Sequence, residues 1–187
     1  LGSIQAGREQ LQQSITLAQQ LGTTFFLSWP QAVLAQCMLA DGEQKTALAL
    51  CREAMKIAEQ TQDKFGLALA QRILAQILVP QAQVFMSQQD LASDKNHSAQ
   101  AEQAEQAILE AIRLQQEMHN HPELARSYVC YARLLQHQQE HKAADYFEQA
   151  GALFQQMQMN WDYAQIKTFL SSSSEARATD VEELNSI

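Results

Sequence analysis

The sequence predicts an all-α chain built from antiparallel helix pairs stacked in a row, on three observations. First, a four-position stripe of small, large, small and apolar side chains recurs as Gly7/Leu11/Ser14/Ile15, Ala47/Cys51/Ala54/Met55, Ala104/Ile108/Ala111/Ile112 and Ala143/Phe147/Ala150/Gly151. Steps of four, three and one residues place these side chains on one face of a helix. Second, the interval is nearly constant: Ala47 follows Gly7 by 40 residues and Ala143 follows Ala104 by 39, whereas Ala104 follows Ala47 by 57, which leaves room for an insertion of about 17. Third, Ala, Gln and Leu abound while the 187 residues include only 6 Gly and 3 Pro, a composition that favours helix almost throughout. Two helices per unit of about 40 residues is the pattern of an α-solenoid, in which each hairpin buries its apolar stripe by stacking on the next.

The elements follow in order. Leu1 to Ala6 reads as the last turn of a helix that starts upstream, so the chain is expected to be a piece of a larger protein. Arg8 to Leu21 carries Leu11, Ile15, Leu17, Ala18 and Leu21 at helical spacing, and Gly22 suits the left-handed residue that closes a helix. Thr23 or Thr24 is the expected cap of a second helix running to about Ala40, with Pro30 in its first turns. Asp41-Gly42 is a turn, Glu43 to about Gln60 a third helix, and Thr61-Gln62-Asp63 the next turn. Lys64 to Val79 answers the second helix, because Leu74-Ala75-Gln76 stands 40 residues after Leu34-Ala35-Gln36. Pro80 is expected to stop or kink it. Residues 81–98, with SQQDLASDKNHS, form the insertion, expected as an elongated helix end followed by a mobile loop. A helix from about Ala99 to Met118, a turn at residues 119–122, a helix from Pro122 to Gln138 and another from Glu140 to Met157 complete the pairs; Trp161 to about Ser172 opens a fifth. Residues 174–187 are a tail, disordered or briefly helical.

Composition bounds function. A net charge of −8 argues against the basic face of a nucleic-acid binder. No apolar run reaches the ~18–20 residues of a membrane span, and no basic-then-apolar leader opens the sequence; a cytoplasmic location follows as the expectation. Cys37, Cys51 and Cys130 are odd in number, far apart and set in helical patterns, so they read as buried thiols and not as a disulfide framework.

The Ala143-x-x-x-Phe147 step, the paired small residues and the helix-turn-helix alternation resemble tetratricopeptide (TPR) repeats across residues 1–173. The match departs from that pattern: the unit is about 40 residues and not 34, the usual Trp and Gly of the first helix are missing, and no Pro closes the second. The Pro-interrupted insertion, the AEQAEQAILEAIRL helix and the closing FQQMQMNWDYAQ segment are similar to C-terminal repeat regions of bacterial signalling proteins that join a nucleotide-cyclase or kinase domain to an ATPase module, and of large ATP-dependent transcription activators. The resemblance implies a right-handed superhelix of antiparallel pairs, with catalysis upstream and not in this chain.

It also implies which side chains line a concave groove, since in TPR-type solenoids the first helix of each pair does so: Trp29, Gln36, Arg72, Gln76, Arg126, Arg133, Gln136 and Gln165. Arg72, Arg126 and Arg133 would then suit a carboxylate or acidic peptide, unless they are solvated or paired with local Glu residues. His119-x-His121 and His137-x-x-x-His141 lie at helix boundaries without a completing Cys or carboxylate, so solvated turn histidines are expected and no metal. No G-x-S-x-G elbow, phosphate-cradling loop or paired carboxylates nominate an enzyme, and no cofactor is implied. Phe25, Phe26, Trp29 and the segment Met157 to Trp161 are expected in the core at their helical spacing; exposed, they would be anchors for another protein. The expected function is a non-catalytic scaffold that holds a protein, a peptide or another domain of the same polypeptide; the alternative is a small-ligand sensor controlling upstream domains. An exposed face on the first repeat is expected to favour a homodimer.

Overall fold

A computed structural model of the chain describes residues 2–87, 95–136 and 139–170, and among these residues there are eight helices and no strand. The chain divides into two compact units, Leu1–His119 and Asn120–Ile187, where the repeat spacing alone suggests one domain over 1–173. No helix among the described residues is long and apolar enough to cross a membrane.

The first unit holds α1 (Gly2–Gln20), α2 (Ser28–Ala40), α3 (Gln44–Thr61), α4 (Lys64–Ser87) and α5 (Lys95–Glu117). Leu1 aside, the opening residues are not a separate turn: α1 runs unbroken from Gly2. It ends where the Gly22 N–H donates to the Gln19 carbonyl at 3.1 Å and the Thr23 N–H to the Ala18 carbonyl at 2.9 Å, with Gly22 at φ +67°. That left-handed residue turns the chain so that carbonyls left over at the helix end are satisfied. The same device closes α2 at Gly42 (φ +81°) and α3 at Gln62 (φ +55°), where the Asp63 N–H reaches the Ala58 carbonyl at 2.8 Å.

α2 begins at Ser28, not at the threonines, because Phe25 and Phe26 lie in the turn; Pro30 falls in the first turn, where a missing N–H leaves nothing unpaired. α4 does not stop at Pro80 but continues to Ser87, and α5 starts at Lys95, four residues before Ala99. Of the expected insertion over 81–98, residues 81–87 continue α4 and residues 95–98 open α5; residues 88–94 lie outside the described residues, as does the expected tail over 174–187.

Side-chain contacts fix how these helices run. The Gln44 Nε2 donates to the Ile77 carbonyl at 3.0 Å and the Cys51 thiol to the Ala70 carbonyl at 3.0 Å. Rising numbers on α3 meet falling numbers on α4, so the two are antiparallel. Lys64, at the start of α4, pairs with Glu117 at the end of α5 at 3.3 Å, and Arg8 near the start of α1 pairs with Asp41 at the end of α2. By contrast the starts of α2 and α4 adjoin. Asp63 caps α4 by accepting from the Gly66 N–H at 3.0 Å, and its other carboxylate oxygen accepts from the Ser28 hydroxyl. A methyl group on Gly66 would sit 2.6 Å from the Ser28 Cβ, so only glycine lets the two helix starts approach this closely.

The recurring stripe is the core. Ala47, Cys51 and Ala54 on α3 and Ala104, Ile108 and Ala111 on α5 are all closed to solvent, and so are Ala35 and Ala75 on α2 and α4. Alanines at these positions let helix axes approach toward the short end of the ~8–10 Å range. Ile15 of α1 joins Leu27 and Leu34 of the α2 region in a further cluster, flanked by Ala18, Met38, Leu50 and Ile57.

In the second unit α6 (His121–Leu135) is capped by Asn120 and carries Pro122 in its first turn, α7 is Glu140–Gln156, and a helix over 160–170, here α8, follows the left-handed Gln158. Ala143, Phe147 and Ala150 are buried on α7, and the Phe147 ring stacks on Phe169 of α8 with centroids 4.8 Å apart and planes 6° from parallel. Tyr146 packs between Tyr128 and Tyr131 of α6. Arg126 near the start of α6 reaches Asp162 near the start of α8, so these two helices run the same way, as α2 and α4 do.

Candidate interaction surface

The eight projected groove residues divide between the units, four in each. On α2 Trp29 is exposed and Gln36 half-buried; on α4 Gln76 is half-buried, and Arg72 is only 2% exposed. α4 is packed by α2, α3 and α5, so Arg72 is built into the interior of its unit and offers no guanidinium to an incoming acid. In the second unit Arg133 and Gln165 are exposed, and Gln136 is half-buried at the end of α6.

Arg126 is half-buried and its fork is filled: Nε donates to Asp162 Oδ1 at 2.9 Å, Nη2 to Asp162 Oδ2 at 3.4 Å and Nη1 to Glu123 Oε1 at 2.5 Å. Partial burial works against the charge, and the two carboxylates outweigh it, so the pKa lies above the ordinary arginine value. The local pairing weighed for these arginines describes Arg126. An acidic ligand there would have to displace Asp162.

The aromatic residues expected in the core are on the surface instead. Phe25, Phe26, Trp29 and Trp161 are exposed, Phe26 at 63% and Trp161 at 74%. The reason is local: α2 starts three residues later than a Phe25 start, so the phenylalanines ride in the turn, with their rings edge to face at 4.9 Å. Leu17 is exposed too, because Ile15 and Ala18 occupy the inward side of α1 and position 17 falls on its outer side, and Leu21 is exposed in the turn just past the helix. Phe65, next to Gly66, is also exposed, and the Ser28–Asp63–Gly66 contact puts it beside the start of α2. The first unit thus exposes Leu21, Phe25, Phe26 and Trp29 within nine residues at the α1–α2 turn, with Leu17 one turn earlier on α1 and Phe65 at the start of α4 exposed as well.

A signal for this edge stood in the sequence. From Gln10 to Ala40 no ionisable side chain other than the Cys37 thiol occurs, in a chain of net charge −8. The apolar periodicity of that stretch draws the eye to the inward face and away from the missing charge on the outward one, where Leu17 stands among glutamines.

Chemistry is sparse elsewhere. Cys51 is closed to solvent, and burial pushes its thiol up to about 12, chiefly by denying the thiolate water. Cys37 is also raised, by burial and then by Asp41. His119, His121 and His141 are exposed, His137 lies outside the described residues, and no group of three His, Cys, Asp or Glu among the described residues is placed to hold a metal ion. The chain matches no protein-family model and no curated protein.

Proposed function

We propose that the chain is a TPR-like α-solenoid serving as a protein-docking module that acts through a surface and not through catalytic groups. The register supports the architecture: in the first unit successive helices are antiparallel while α2 and α4 run alike, and in the second α6 and α8 run alike. Hairpins in that arrangement repeat by translation, as in stacked two-helix units. The single observation that carries the docking role is the uncharged aromatic edge at the α1–α2 turn, since contiguous exposed apolar patches mark interaction sites. By its resemblance to C-terminal repeats of signalling proteins, the module is a regulatory part of a larger bacterial signalling chain.

Selection from a library of displayed random peptides tests the reading, with affinities measured by fluorescence anisotropy. Docking predicts enriched peptides whose affinity falls at least ~10-fold on Phe26→Ser while the melting temperature holds. Enriched peptides indifferent to Phe26, together with a chain that binds no further protein surface through this edge, would contradict it.

A further inference from the structure

We infer that the α1–α2 edge is a self-association surface and that its occupant is the same edge of a second copy of this chain. The inference rests on the docking reading and names its partner.

Area is the first argument. Leu17, Leu21, Phe25, Phe26, Trp29 and Phe65 are each two-fifths exposed or more. Side chains of this size together offer on the order of 700 Å², close to the ~800 Å² per partner that a stable specific interface buries. Few polar neighbours are needed to complete it, and the glutamines along the outer face of α1 supply them.

Charge is the second. In a two-fold symmetric contact a surface meets its own copy, so a patch of one net sign would face a patch of the same sign. The stretch Gln10 to Ala40 carries no acidic or basic side chain, which makes it compatible with its own copy although the chain as a whole is acidic. Several charges that border it are engaged within the chain: Arg8 with Asp41, Lys64 with Glu117, and Asp63 with Ser28 and Gly66. The uncharged stretch offers no charge of its own to select a partner of opposite sign, and a second copy needs none.

The backbone around the edge is suited to rigid contact. The turn is closed by the Gly22 cap and by the Leu27 N–H donating to the Thr24 carbonyl at 3.1 Å. The ring pair Phe25–Phe26 therefore projects from a short, hydrogen-bonded segment, and holding it costs little further entropy on association.

Sedimentation equilibrium of the full chain over a concentration series tests this. The expected result is a monomer–dimer equilibrium in the micromolar range that is unchanged or tightened when NaCl rises from ~50 to ~500 mM, because salt screens the net repulsion between acidic copies. Leu21→Glu with Phe26→Glu should weaken it at least ~100-fold, with the helical circular dichroism and melting curve retained because both side chains are exposed. Trp161→Glu, equally exposed but on the second unit, should leave it unchanged. A single-chain mass at every concentration, a dimer indifferent to the Glu pair, or a dimer that salt dissolves would overturn the inference. A monomer that still binds displayed peptides through Phe26 would overturn it while leaving the docking reading in place, and a monomer that binds none would remove both.

Discussion

In α3 the stripe Ala47, Cys51 and Ala54 is closed to solvent, while in α1 the matching Gly7 and Ser14 stand exposed, Leu11 is half-buried, and of the four positions Ile15 is the buried one. The spacing is the same in both helices. What differs is the company: α3 is packed by α2 and α4, and α1 by α2. A periodic stripe states which face of a helix can pack, and the neighbours decide how much of it does. The outer side of α1 then remains as surface, with Leu17 exposed on it and Leu21 exposed just past its end.

Equivalent substitutions in the buried and open copies sharpen that contrast. Ile108→Ala, in the closed stripe of α5, should cost about 2–5 kcal/mol through lost burial and a residual cavity, whereas Leu11→Ala at the same position of α1 should cost about 1 kcal/mol or less. Ala54→Leu should overpack α3 at about 1–3 kcal/mol, and Ser14→Leu should stay within about 0.5 kcal/mol. Urea unfolding with the slope held common reads both pairs. If the α1 variants destabilise as much as their counterparts, the open copy is in fact packed.

Thiol chemistry separates the same regions more gently. Cys51, buried on α3, should resist a disulfide reagent at pH 8 in the folded protein, while half-buried Cys37 on α2 reacts faster. Because the folded pKa of Cys51 is raised from 9.0 to about 12, the native state favours the neutral thiol. Its contribution is full below pH ~9 and is lost as pH rises toward 12. The alkaline fall in urea midpoint should therefore be shallower in Cys51→Ala than in the parent. The smallest effect is at the caps: Gln62→Gly relieves a left-handed residue and should add about 0.5–1 kcal/mol, whereas Gly22→Ala should lose a similar amount.

Much of the helix plan was legible because it depends on local chemistry. The stripe spacing, the Asp41-Gly42 turn and the Gly22 cap need only the residues that carry them. Features that depend on neighbours were not. Gln62, His119 and Gln158 adopt left-handed conformations without a glycine to announce them, since the Schellman-type hydrogen bonds offset the strain. Pro80 reads as a stop or a kink, and α4 continues through it to Ser87. Arg72 reads as a groove cation because its helical position was projected without knowing that three helices surround α4. Phe25 and Phe26 read as core because their spacing suits a helix, and that helix begins after them at Ser28. Of the projected groove residues, Trp29 is the one that belongs to the edge the structure presents.

Hydrogen–deuterium exchange at low and high protein concentration tests the central contrast most directly. Residues 10–29, spanning the outer half of α1 and the Phe25–Phe26 turn, should exchange more slowly at high concentration while α3 is unchanged. A concentration effect spread evenly over both helices, or none in 10–29, would contradict it.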